Sequence, residues 1–154
     1  MKTIMDKYIP SPSKWVADQV ELYEGSGGTR GTTLGKHGPW KDLPVIIVTN
    51  RGRKTKAVRK TPLMKVTDGD KYILVASQGG APSNPFWYYN LHSEPQVEIQ
   101  DGINTQRMKV IEITDPVEKK RLWEIAVKTY PPYEEYQLRT ERCIPVFLAS
   151  RLDN

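Results

Sequence analysis

Cysteine occurs once in the 154 residues, at Cys143, and histidine twice, at His37 and His92. An internal disulfide is therefore excluded, and no metal-ligand spacing can be recognised. Cys143 stands just before the apolar run of TERCIPVFLAS, where a buried thiol acting as a small hydrophobe is expected. Neither histidine has a sequence partner that would mark a catalytic triad, and His37, in the glycine-rich GKHGPW, reads as a solvated loop residue. No run approaches the ~18 apolar residues of a membrane span, and MKTIMDKYIP lacks the apolar centre of a secretory signal. A cytoplasmic protein is the expectation.

What the chain does have is aromatic and basic residues in uneven places. Eight tyrosines and four tryptophans stand beside only two phenylalanines, and a hydrophobic fraction of 38% is enough for one packed core. The length suits one domain over residues 1–154, with the first eleven expected to be flexible. The net charge of +5 is concentrated in RGRKTKAVRK, Arg51 to Lys60, which holds six of the 23 basic residues and no acid; without it the rest of the chain carries −1. The excess charge is local, which matters more than its size.

Turn chemistry divides the chain into short elements. Ser11 and Pro12 read as an N-cap and first helical position, followed by Trp15, Val16, Gln19, Val20 and Tyr23 at helical spacing and by Gly25 as a stop. That amphipathic helix can pack on the body or lie on a partner or membrane surface; its mixed charges favour packing. Six glycines between Gly25 and Leu43 mark a long loop of the kind that forms a lid or a ligand-binding segment. Strands are expected over Val45 to Asn50, Val58 to Val66, Tyr72 to Ser77, Val97 to Gln100, Gln106 to Ile113 and Ile144 to Leu152. Asn84 and Pro85 can cap a helix through FWYYNLH. Asp115, Pro116 and Glu118 supply the cap, first-turn proline and N3 glutamate of another, and a short helix follows Pro131-Pro132. Six hairpin-joined strands with peripheral helices predict a mainly β, small antiparallel barrel.

Three segments could carry chemistry. The basic turn offers guanidinium and ammonium groups among backbone N–H donors, which suits a phosphate or carboxylate ligand. It also suits a solvated hairpin charged against edge-to-edge pairing. Nucleic acid is the third reading, weakened because no aromatic in the turn can stack a base. Next, Thr61-Pro62-Leu63 places a proline in a strand, so this strand belongs at an edge, a bulge or an approach to a ligand. The strand ending in Ala76-Ser77-Gln78 opens into Gly79 and Gly80, where backbone donors and a flat ligand could meet, although glycine pairs also make ordinary turns. Ser77 lacks the strand-turn-helix elbow of a nucleophile. Of Trp87, Tyr88 and Tyr89, at least one is expected in the core. Finally, Tyr133 and Tyr136 share a face if they share a helical turn, and Tyr130 can join them to wall a pocket with phenol donors.

Taken together, GRKT with Arg59 and Thr61-Pro62-Leu63, VASQGGAPSNPFWYYNL, TYPPYEEYQ and IPVFLAS resemble the deazaflavin-dependent nitroreductases of actinobacteria, over roughly Pro12 to Leu152. The resemblance implies a split β-barrel like that of the flavin-binding pyridoxamine-phosphate oxidases, with 8-hydroxy-5-deazaflavin, coenzyme F-420, as cofactor. It places the phosphate and oligoglutamate tail at Arg53, Lys54 and Arg59. The ring would lie on Thr61, Pro62, Leu63 and the Ala76 to Gln78 strand end, with Gly79 and Trp87 completing the cofactor site. Gln78 stands where the family often has lysine, and Lys56 where it has glycine; Lys56 would then restore part of the charge. Tyr130, Tyr133, Tyr136 and Ser77 would hold a quinone, nitroaromatic or enone acceptor for hydride transfer from the cofactor. A homodimer is compatible with the resemblance. The rival readings are an FMN- or haem-type split barrel and a non-enzymatic anion-binding module acting on nucleic acid or an anionic membrane.

Overall fold

The structure is a computed structural model that describes residues 7–35 and 38–152. The expectation for His37 falls outside them, as does that for the first six residues. The chain forms α1 (Lys14–Gly25), β1 (Val45–Arg51), β2 (Val58–Met64), β3 (Thr67–Asp68), β4 (Lys71–Val75), α2 (Phe86–Ser93), β5 (Gln96–Asp101), β6 (Asn104–Glu112), α3 (Pro116–Thr129), α4 (Pro132–Leu138) and β7 (Val146–Arg151). The strands make one antiparallel sheet in the order β2-β1-β5-β6-β7-β4-β3. The seventh strand is the two-residue β3, which is not among the six strands expected from the sequence.

The two edge strands of this sheet, β2 and β3, are consecutive in the chain. Lys65 extends the β2 ladder by donating to the Pro44 carbonyl, and Val66 starts the next one by accepting from Ile73 N–H. The sheet therefore curls until its edges meet at Lys65–Val66. Above that point no ladder joins β2 to β4 among the described residues, and the barrel is split along a seam. Pro62, opposite Ile47 on this edge strand, removes one N–H that could have bonded across it.

Alternation along the strands sorts the core into two layers. Ile46, Val48, Leu74, Ala76, Val97, Ile99, Met108, Val110, Phe147 and Ala149 face the barrel interior, plugged by Trp87 and Leu91 of α2. Val45, Ile47, Ile73, Val75 and Val146 face outward, under Val20 and Tyr23 of α1, Leu122 and Ala126 of α3, and Tyr133 of α4. Val20 and Tyr23 of α1 are thus committed to the body, the packing that the mixed charges of the helix favour, while Trp15 and Leu22 stay partly exposed. No described helix is long and apolar enough to cross a membrane.

Several local expectations shift for identifiable reasons. Ser13, not Ser11, caps α1, because the Ser13 hydroxyl accepts from Val16 N–H while Ser11 accepts from Ser13 N–H just outside the helix. Pro85 holds the N-cap position of α2, since Asn84 turns its side-chain carbonyl to Arg142. Cys143 is exposed rather than buried, because the apolar run becomes buried only from Ile144. Residues 7–9, within the stretch expected to be flexible, are tied to Val58 by two backbone hydrogen bonds. Asp115 caps α3 by accepting from Glu118 N–H, as the sequence predicts.

Tyr23 anchors α1 to the sheet. Its fully buried hydroxyl accepts from Gly102 N–H at 2.7 Å and donates to the Val45 carbonyl at 3.0 Å. At the same junction, a Cβ on Gly28 (φ +83°) would lie 1.8 Å from the Gly102 carbonyl oxygen, so only glycine fits there. Tyr23→Phe leaves a buried donor and acceptor unpaired, at a cost of about 1–3 kcal/mol. Thermal unfolding should show a lower midpoint, and an unchanged midpoint would mean that those groups find other partners.

Candidate functional site

The split seam opens into a cleft of ≈ 560 Å³. Thr61, Pro62, Leu63 and Met64 of β2 form one side; Val75, Ser77 and Gln78 at the end of β4 form the other. Trp15, Val16 and Gln19 of α1 and the loop residue Leu34 also line it, and Tyr130, Tyr133 and Tyr136 bring phenols to it. The glycine-rich loop is held in place: Leu34 N–H donates to Leu43, and the Gln19 side chain donates to the Gly31 and Thr33 carbonyls.

The tyrosines meet because Tyr130 ends α3 and Pro131-Pro132 restart the chain as α4. Ring centroids lie 4.9 Å apart for Tyr130–Tyr133 and 6.2 Å apart for both Tyr133–Tyr136 and Tyr130–Tyr136. The Tyr130 and Tyr136 hydroxyls are hydrogen-bonded at 3.1 Å. Burial pushes the Tyr130 phenol well above its ordinary value, helped by the Tyr136 hydroxyl. It does the same to Tyr133, with Tyr130 and Tyr136 contributing. Both stay protonated, and so remain hydrogen-bond donors, throughout the neutral range. The Tyr133 hydroxyl bonds to no described residue.

A second groove, of ≈ 450 Å³, is lined by Gly52, Arg53, Lys54, Thr55 and Arg59 of the basic hairpin, Ile9 to Pro12 in part, and Phe86, Tyr89 and Asn90 of α2. Ser11, Lys60, Thr61 and Trp87 line both cavities, so they form one continuous trough with an apolar, phenol-walled end and a basic end. Lys60 at the junction is paired with Glu24 of α1 at 2.5 Å. Arg53, Lys54 and Arg59 have no carboxylate partner among the described residues. The Arg53 guanidinium lies 5.0 Å over the Tyr89 ring, and Arg59 donates to the Ile9 and Pro10 carbonyls.

Among the residues expected at the site, Arg53, Lys54, Arg59, Thr61, Pro62, Leu63, Ser77, Gln78, Trp87 and the three tyrosines line this trough. Lys56, Ala76 and Gly79 do not. Gly52 and Ala57 close the hairpin through Gly52 N–H to the Ala57 carbonyl, which leaves Lys56 at φ +61° with its ammonium 3.4 Å from Ser93. Ala76 is fully buried in the barrel interior. Gly79 turns its carbonyl to Arg139.

The sequence reading missed a buried amide pair that fixes the basic turn. Asn90 of α2 accepts from Arg53 N–H at 2.9 Å and donates to the Asn50 side-chain carbonyl at 2.9 Å, while Asn50 donates to the Val48 carbonyl. Two asparagines 40 residues apart give no local signal beyond an amide set in an apolar stretch, as Asn90 is in FWYYNLH, which must find a partner once it is buried.

The family model for F420H(2)-dependent quinone reductase matches residues 15–151. The chain belongs to that family. An F420H(2)-dependent quinone reductase of Mycobacterium tuberculosis is 40% identical over 133 residues, 84% of this chain and 85% of the relative. A solved F420-H2-dependent reductase, FDR-A, is 41% identical with a TM-score of 0.65, over 70% of this chain and 94% of its own. A solved domain-swapped dimer is 38% identical with a TM-score of 0.68, over 91% of this chain and all of the other. The haem-storage protein HutZ of Vibrio cholerae, at 12% identity and TM-score 0.53 over 71% and 82% of the two chains, shares the split-barrel fold alone.

Asn90→Ala should lower stability by about 1–3 kcal/mol, since Arg53 N–H and the Asn50 carbonyl lose their partner. It should also weaken binding of a polyanion such as tripolyphosphate. Undiminished binding would mean that the turn keeps its shape without Asn90.

Proposed function

We propose that this family member transfers a hydride from reduced coenzyme F-420 to a quinone bound in the tyrosine-walled cleft, with nitroaromatic and enone compounds as further acceptors. The observation that carries the reading is the continuity of the trough. One end offers a flat, largely apolar floor with phenol donors, and the other offers three cations without carboxylate partners among the described residues. A flat ring with an anionic tail matches both ends at once, whereas a free phosphate or nucleic acid would use only the basic one.

The residues present fit the cofactor. Arg53, Lys54 and Arg59 would hold its phosphate and glutamates; Thr61, Pro62 and Leu63 would support its ring, close to a strand edge that lacks one N–H. When bound in its reduced state, it supplies the hydride from C5. Ser77 and the tyrosines orient the acceptor over that ring, which makes the transfer effectively unimolecular. Reduction of a quinone to a hydroquinone takes up one hydride and one proton. The Tyr133 hydroxyl, protonated and without a partner among the described residues, donates a hydrogen bond to the quinone oxygen as negative charge develops there, Tyr136 can do so through the Tyr130–Tyr136 pair, and the proton itself comes from solvent. Trp15 and α1 limit water entry from the side.

An FMN-binding split barrel would need the same fold but would leave most of the basic groove unused. The domain-swapped dimer of one relative supports self-association for this chain as well, which sedimentation would read as two chains rather than one.

The direct test follows the visible absorption band of F-420. Addition of menadione to protein holding reduced F-420 should regenerate that band, and no regeneration would overturn the reading. Tyr133→Phe should slow acceptor turnover while leaving F-420 affinity within about threefold. Weakened F-420 binding with normal single-turnover oxidation would move Tyr133 from the acceptor side to the cofactor side.

A further inference from the structure

Arg142, between α4 and β7, is surrounded by carbonyl oxygens and faces no carboxylate among the described residues. Its Nε donates to Ala81 O at 2.8 Å, one terminal nitrogen to Ala76 O at 3.1 Å and Asn84 Oδ1 at 2.7 Å, and the other to Ser77 O at 2.7 Å. All four acceptors belong to the segment that leaves β4 and leads to α2. Burial pulls the guanidinium below its ordinary value, the cost of being solvated by dipoles alone.

What that fork holds is a strained turn. Gln78, Gly79 and Gly80 have successive φ values of +44°, +62° and +82°, and Gln78 has a side chain that disfavours this region. The turn lies against α4 so closely that a Cβ on Gly80 would sit 2.6 Å from the Tyr136 carbonyl oxygen. The backbone of Arg142 is in turn braced by α4. Gln137 donates to the Arg142 carbonyl at 2.7 Å and accepts from Ile144 N–H at 3.0 Å. A single residue thus grips the Ser77–Gln78 wall of the cleft with its side chain and the Tyr133–Tyr136 helix with its main chain.

We propose that Arg142 is a positioning residue that sets the distance between the two walls of the acceptor cleft, and hence acceptor affinity, without touching acceptor or cofactor. A planar fork with five N–H donors can meet four acceptors at once; an ammonium with three cannot do so in that plane. Removing the side chain leaves a guanidinium-sized slot lined by four oxygens that each lose a donor, of which Ser77 O keeps its bond from Gly80 N–H.

The test uses Arg142→Ala and Arg142→Lys at a temperature where circular dichroism shows every protein folded. Menadione binding is read by quenching of tryptophan fluorescence, since Trp15 and Trp87 line the cleft, and menadione KM is read with reduced F-420. Arg142→Ala should raise both the menadione Kd and KM about tenfold or more, with tripolyphosphate binding at the basic end unchanged. Millimolar guanidinium should restore them saturably, whereas urea should not, and the wild type should not respond to guanidinium. Arg142→Lys should fall between, with no response. A folded Arg142→Ala with wild-type Kd and KM, or one that guanidinium fails to restore, would overturn the proposal. Should Arg142→Ala not fold, a wild-type menadione Kd in Arg142→Lys would do so. The inference rests on the quinone-reductase reading. The quenching arm needs no hydride transfer, so a wild type that binds menadione but leaves reduced F-420 unoxidised would sink that reading and not this one.

Discussion

The sheet stops pairing at β2, and that unclosed edge is what the proposed site depends on. Were β2 bonded to β4 along its length, the interior would be a sealed core of side chains, as in other small closed barrels. Instead the chain joins its own edges only at Lys65–Val66 and leaves Thr61 to Met64 facing Val75 to Gln78 across a gap. Pro62 helps to keep the gap open by having no hydrogen to offer. The gap is then walled from above by α1, α3 and α4, whose buried residues pack on the outward face of the same strands. Fold and cleft are therefore two results of one hydrogen-bonding pattern.

Electrostatics supplies the second constraint. The chain carries its excess charge in one hairpin, and the fold turns three of those cations into a groove continuous with the gap, with no carboxylate among the described residues paired to them. Lys60 at the junction is neutralised by Glu24, so the positive field belongs to the far end of the trough rather than to the phenol-walled end. A ligand that combines a flat neutral portion with a distant anionic tail satisfies both regions. The buried Asn50–Asn90 pair holds the hairpin against α2, so the cations are presented from a fixed backbone.

Much of this was legible in the sequence because it depends on short-range signals. Pro62 in a strand announced an edge, a bulge or an approach to a ligand, Asp115-Pro116 with Glu118 announced a helix start, and the diproline after Tyr130 announced the restart that gathers three phenols. Basic residues in one hairpin were expected to act together, and that failed for Lys56, because a left-handed backbone at one position aims a side chain at a different neighbour. Cys143 was misjudged for a similar reason: adjacency to an apolar run does not extend burial by one residue. Arg142 and the asparagine pair were invisible, since their partners lie roughly 40 to 66 positions away and only the folded chain brings them together. The family resemblance carried the cofactor, which no spacing in the chain could have named.

In the proposed function the basic groove and the tyrosine cleft receive one ligand. Fluorescence titration with F-420 species bearing increasing numbers of glutamates tests it most directly, alongside FMN. Affinity should rise with the first glutamates added, fall steeply with salt, and exceed that for FMN. Affinity indifferent to tail length and salt, or FMN binding as tight as that of F-420, would contradict it.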